Sequence, residues 1–203
     1  MSKVQVDTID TRSGTSTMQI GSTNTSTINI GVSGDTVNIP SGVTIANAGT
    51  ATGFGVSGTE GFLAYNSAGY DTSHNTSTLV QLASELYDTD SRFTNTASNY
   101  KYTVANAGKY FFFGNVQMSA ASSQTLNQAF LNIYKNGGSI AQVGINYSGN
   151  YSDVTQLHIT VSDDASANDY YQLYNYAYTS GGANMIIGGG NRGNTYFGGF
   201  RLT

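Results

Sequence analysis

The chain has 203 residues, room for one all-β sandwich with an appendage and too few for two large domains. Charged residues make up only 10% and aromatic residues 12%, which excludes a disordered chain, and the formal net charge is −4. The cations Lys3, Lys101, Lys109, Lys135, Arg12, Arg92, Arg192 and Arg201 form no stripe that would hold nucleic acid, there is no cysteine for a disulfide or thiolate metal site, and no apolar run is long enough for membrane insertion.

Residues 1–16 are read as an attachment segment. An imperfect repeat follows: Thr17-Met18-Gln19-Ile20-Gly21, Thr27-Ile28-Asn29-Ile30-Gly31, Thr36-Val37-Asn38-Ile39-Pro40, and Val43-Thr44-Ile45. Apolar and polar residues alternate within each copy, the period of a strand with one buried face, and Gly or Pro closes the unit. One chain has nothing to bury that face against. Three parallel copies would bury the rows Met18/Ile20, Ile28/Ile30 and Val37/Ile39 on a common axis, so residues 17–58 are expected to form a trimeric β-repeat shaft ending in a Gly-rich hinge, the alternative being a flexible Thr/Gly/Ser linker.

A second domain is expected over residues 59–203. Lys109 to Met118 alternates Tyr110, Phe112, Gly114, Val116 and Met118 against Phe111, Phe113, Asn115 and Gln117, a strand apolar on both faces at its start. Gln128–Tyr134 and Ser139–Ile145 flank Asn136-Gly137, a strong hairpin signal. In Val154–Val161 the residues Leu157, Ile159 and Val161 share one face, and Gln156 and His158 the other. Tyr170–Tyr178 puts Tyr170, Tyr174, Tyr176 and Tyr178 on one side, and Tyr196, Phe200 and Leu202 share a parity at the end. No helical period appears, and seven or eight antiparallel strands in a sandwich or jelly roll are expected.

Five short motifs, in order, are similar to the C1q branch of the C1q/TNF superfamily. They are Arg92-Phe93 ahead of Tyr102-Thr103-Val104, Ala107-Gly108-Lys109-Tyr110-Phe111-Phe112, Leu131-Asn132-Ile133-Tyr134-Lys135-Asn136-Gly137, Asn168-Asp169-Tyr170-Tyr171-Gln172-Leu173, and Tyr196-Phe197-Gly198-Gly199-Phe200-Arg201-Leu202. The stalk departs from the family because glycine does not recur every third residue, as collagen requires. The repeat segment looks instead like short β-repeats of phage fibre proteins. The resemblance implies a C1q/TNF-like jelly-roll knob that trimerises, with its chain start and end at one base. Tyr110, Phe112, Tyr170, Tyr174 and Tyr176 would then be divided between sandwich core and trimer interface, joined there by Met18, Ile20, Ile28, Ile30, Val37 and Ile39 of the shaft. Family calcium ligands have no full counterpart; Asp88 and Asp90 supply two donors where six or more are needed, so no metal is expected.

Catalytic constellations are thin. His74 lies in a polar turn segment, Asp163 and Asp164 precede a turn-like Ala165-Ser166-Ala167-Asn168, Glu60 and Glu85 are the glutamates, and Gly188-Gly189-Gly190 lacks the lysine of a phosphate loop. Neither enzyme activity nor a cofactor is expected. Binding suits the composition better. The connections around 70–77, 119–126, 147–153 and 179–194 are rich in Tyr, Ser, Gly and Asn, residues that give rigid contact area and adaptable hydrogen bonds. Tyr147, Asn150, Tyr151, Asp153, Tyr178, Asn191 and Arg192 are the candidate receptor contacts. The expectation is a homotrimeric phage fibre, on head or tail, joined to other virion proteins by its N-terminus. Its knob would meet a host-surface glycan or protein. The alternatives are a capsid-decorating structural trimer and a bacterial surface C1q-like protein.

Overall fold

The computed structural model describes residues 20, 24, 26–30, 33–44, 60–121, 124–147, 152–190 and 193–202. The chain divides into two compact units, residues 1–53 and residues 54–203. In the first, the described residues lie in no strand or helix. The Val43 amide donates to the Pro40 carbonyl at 3.2 Å, and Gly42, at φ 85°, takes the third place of the turn, which only a residue tolerant of positive φ fills without strain. Ile20, Ile28, Ile30, Val37, Ile39 and Val43 are all exposed, by 44 to 69%. Met18 lies outside the described residues.

The second unit is built of antiparallel strands alone. The front sheet contains β1 (Gly61–Tyr65), β2 (Tyr70–Thr72), β4 (Ser84–Asp88), β7 (Gly108–Ala120), β10 (Val154–Ala165), β12 (Met185–Ile187) and β13 (Thr195–Arg201). The back sheet contains β3 (Thr78–Leu79), β5 (Phe93–Thr96), β6 (Asn99–Thr103), β8 (Leu126–Lys135), β9 (Gly138–Asn146) and β11 (Tyr170–Thr179). The front order is β2-β12-β7-β13-β1-β4 with β10 on the other edge of β7, and the back order is β5-β6-β11-β8-β9 with β3 also on β11. All six long strands expected from alternation are present. The strand count exceeds the expected seven or eight because β1 to β6 and β12 run only two to five residues, too short for a period to show.

The hairpin of β8 and β9 turns at Asn136 and Gly137, with φ 51° and 84°, the two successive positive angles that match the twist of the flanking strands. Inward residues of both sheets form one core. Phe62 stacks on Phe93 and Tyr102, with centroids at 5.1 and 4.5 Å, and Phe112 of the front sheet stacks on Tyr171 of the back sheet at 3.9 Å. Tyr110 and Phe112 are both 0% exposed within a single chain, so they belong to this core and not to a trimer interface. Their parity on β7 carries them inward, opposite to Phe111 and Phe113. The knob begins and ends at one base: Gly61 pairs with Phe200, and the Arg201 amide donates to the Glu60 carbonyl at 2.9 Å.

Asp163 and Asp164, which precede the turn expected at Ala165-Ser166-Ala167-Asn168, extend β10 past Val161 and lie opposite Tyr110 and Lys109, and the chain turns at Ala167 and Asn168. Asp163 accepts hydrogen bonds from the Lys135 ammonium at 2.7 Å and the Tyr171 hydroxyl at 2.5 Å, and Lys135 reaches Asp169 at 3.1 Å. Lys135 thereby ties the back sheet to β10 of the front sheet. Burial would raise the Asp163 carboxyl, but the lysine and the tyrosine hydroxyl outweigh it and hold it below its ordinary value. Asp169 is likewise lowered, by the Asn136 amide first and then by its other donors, against some desolvation. Depressed carboxyls contribute stability above the ordinary carboxylate range and lose it as the pH falls through the lowered values. Lys135→Met is therefore expected to lower the unfolding temperature at neutral pH and to converge on wild type below roughly pH 3 in an acid titration followed by circular dichroism.

Candidate functional site

Two surfaces of the knob carry side chains that a monomer would ordinarily cover or use. On the outer front face, β7 presents Phe111 and Phe113, β13 presents Tyr196 and Phe200, and β1 presents Leu63 and Tyr65, because these residues alternate with the inward set. Phe111 lies 5.6 Å from Phe200 and 6.3 Å from Phe113, which meets Tyr196 edge-on at 6.2 Å. Phe200 is 41% exposed, and Leu202, Leu86 and Tyr87 are exposed as well. This is a patch of rings bordered along β10 by Ser162, Thr160 and His158.

The outer back face is different in kind. Cross-strand rows place Tyr178 by Gln128 and Asn146, Tyr176 by Phe130 and Gly144, and Tyr174 by Asn132 and Gln142. Tyr134 stacks on Tyr174 at 4.3 Å, and Phe130 lies 5.8 Å from Tyr176. A side chain at position 144 would collide with the Phe130 ring, its Cβ falling 2.0 Å from Cδ1, so Gly144 lets that ring lie down on β9. Asn132 is only 5% exposed, and its Oδ1 accepts from Gln142 at 2.9 Å and Ser139 at 3.2 Å.

Three depressions run along this face, of about 520, 380 and 570 Å³. The first and second share Ser77, and the second and third share Gln128 and Tyr176, so the three join into one trough. The third reaches Tyr147 and Tyr178, two of the receptor contacts expected from sequence. Tyr178 also packs on His74 at 4.6 Å, and His74 Nδ1 hydrogen-bonds Thr179 Oγ1 at 2.9 Å, so this histidine orders the strand end. The rows of β11 were visible in the sequence, whereas Phe130, Asn132 and Gln142 were not singled out. Their signal was the alternation Gln128, Phe130, Asn132, Tyr134, which reads as a strand but does not reveal which tyrosines it faces.

The expected tip loops do come together. Leu126 bridges Ser152, the Ala120 amide donates to the Asp153 carbonyl at 3.1 Å, and the Ser180 amide donates to the Thr125 carbonyl at 2.9 Å. Asp153 is exposed there. Asn150, Tyr151, Asn191 and Arg192 lie outside the described residues. Asn115, buried on β7, donates from Nδ2 to the carbonyls of Gly193 and Asn194 at 3.1 and 2.7 Å, and so anchors the chain entering β13.

At the base, Asp88 accepts from the Phe93 amide at 2.7 Å and Asp90 from the Tyr102 hydroxyl at 3.0 Å, while each keeps a second, buried oxygen without a hydrogen-bond partner. Among the described residues no group of three or more His, Cys, Asp or Glu is placed to hold a metal ion. Burial first, and the carboxylates of Asp88 and Glu60 besides, raise the Asp90 carboxyl against the lowering pull of Tyr102. A raised carboxyl favours the fold fully below the ordinary Asp range and loses that contribution as the pH rises through the raised value. Asp90→Asn is expected to be more stable than wild type at pH 7, the difference closing below about pH 4 in thermal melts.

No family model matches the chain, and no curated protein does. Solved structures do resemble the knob. A TNF protein, Eiger, from S. frugiperda superposes with a TM-score of 0.52 at 11% identity over 71% of this chain and 92% of its own. The globular domain of zebrafish complement 1qA superposes with a TM-score of 0.47 at 12% identity over 71% and 98%. The all-β jelly-roll fold is thus similar to that of the TNF protein.

Proposed function

We propose that this chain is the subunit of a homotrimeric phage virion fibre, a binding protein rather than an enzyme, whose knob engages a glycan or protein on the host surface. The observation that carries the reading is apolar surface left open at two places in one chain: the exposed Ile and Val rows of residues 20–43, and the exposed Phe200 beside the half-buried rings of Phe111 and Phe113. Exposed apolar patches of this kind mark interfaces, and the trimer that the C1q/TNF resemblance implies would cover both. We place the knob contact on the front face rather than on the Tyr170, Tyr174 and Tyr176 row, because amides and hydroxyls interrupt that row and a dry contact would strand them. Three knobs in one trimer would present each weak site threefold and raise effective affinity without new chemistry. Residues 1–16 join the fibre to other virion proteins, which places the knob on the virion surface, outside the cell after lysis.

Light scattering on the full chain and on a chain beginning at Thr59 tests the assembly. A trimer in both is the expected result, and a folded monomer in both would remove the fibre. Antibody to the knob, followed by electron microscopy of particles, tests the virion location.

A further inference from the structure

We infer that the trough on the outer back face is a binding site for a neutral oligosaccharide. The inference rests on the reading of the knob as a binding module and gives its ligand a chemical class and a place other than the tip loops.

The lining carries no charge. The residues that form the three joined depressions are Tyr, Phe, Leu, Ala, Ser, Thr, Asn and Gln, without a carboxylate, a lysine, an arginine or a histidine. The two lysines of the back-sheet strands are engaged elsewhere: Lys135 is paired with Asp163 and Asp169, and Lys101 lies over the Tyr170 ring at 4.9 Å. An acidic glycan or a phosphate would find no counter-ion here. A hydroxyl-rich uncharged ligand would find what it needs. The aromatic rings of Phe130, Tyr134, Tyr174 and Tyr176 offer surfaces to the C–H faces of sugar rings, and the amides between them offer donors and acceptors to hydroxyl groups.

The polar groups are arranged for this. Asn132 is buried in the floor, its Oδ1 held by Gln142 and Ser139, so that its amide nitrogen, which makes no hydrogen bond among the described residues, keeps a fixed position beside the groove. Tyr176 is oriented by a 2.6 Å hydrogen bond from its hydroxyl to Asn75 Oδ1. Donors and rings fixed before the ligand arrives lower the ordering cost of binding. A protein ligand fits less well, since a protein contact wants a dry apolar centre, and the polar groups here are spread through the whole trough.

The test is calorimetry and saturation-transfer NMR on the full chain. The probes are neutral hexasaccharides of glucose, galactose, mannose and N-acetylglucosamine, with a hexagalacturonate as the acidic counterpart. The expected result is binding to at least one neutral member and none to the acidic one. Tyr176→Ala and Gln142→Ala, the second at an exposed position where folding is not at risk, are each expected to weaken binding by roughly fivefold or more. Asp164→Asn, exposed on β10 of the front sheet, is expected to leave it unchanged. No binding to any neutral member, or binding that survives both trough substitutions, overturns the proposal. Recognition of the acidic probe alone, or adsorption of the chain to cells lost only on changing Asp153, would also overturn it, but would leave the knob a binding protein. A chain that binds no glycan and no cell surface overturns both.

Discussion

Phe200→Asp is expected to turn the proposed trimer into monomers whose knobs remain folded. Phe200 is 41% exposed on the outer front face, so its ring contributes little to the core of its own chain. Its neighbours are Phe111 at 5.6 Å on the same face and, across the register, Gly61. In a symmetric trimer the same face is buried three times, and a carboxylate there would be desolvated three times among the rings of Phe111 and Phe113. An uncompensated buried charge costs several kcal/mol, and association has no comparable reserve. Light scattering should show the monomer mass, while near-ultraviolet circular dichroism keeps the signal of the packed tyrosines. A Phe200→Leu control should stay trimeric. If the aspartate variant is still a trimer, the contact lies on another surface.

Phe112→Ala is expected to do the opposite damage, to the fold rather than to the assembly. The ring is 0% exposed, stacks on Tyr171 at 3.9 Å and on Tyr110 at 5.9 Å, and so links the two sheets at their centre. Truncating a buried Phe to Ala costs about 3–5 kcal/mol through lost burial and the cavity left behind. That is a large share of the ~5–15 kcal/mol that holds a domain folded. The unfolding temperature of the knob should fall by roughly 10 °C or more, measured at a fixed protein concentration because assembly makes the midpoint concentration-dependent. A fall of only a degree or two would mean that the neighbouring rings close over the gap.

The strands that decide the architecture were legible because they are long and alternate. β7 to β11 and β13 each show a face in the sequence, and Asn136-Gly137 names its turn. What alternation does not give is the direction of each face. Tyr110 and Phe112 looked like interface residues because Phe111 and Phe113 made both sides of β7 apolar, and only the second sheet decides which side is the core. The expected receptor residues were partly gathered: Tyr147 and Tyr178 meet in one depression, and Asp153 stands in the neighbouring loop. The amide and ring pattern that makes the trough comes from β3, β8, β9 and β11 together, residues far apart in the chain and adjacent only through the register of the back sheet.

The common base of the knob also sets how it would carry load. Any tension along the preceding residues enters at Glu60 and passes into β1, which lies between β13 on one edge and β4 on the other. A pull along the axis of a strand held on both edges must shear two rows of hydrogen bonds together, instead of opening one row bond by bond. Tension arriving there would load a strand paired on both edges, while β8, β9 and β11, which line the trough, lie in the other sheet.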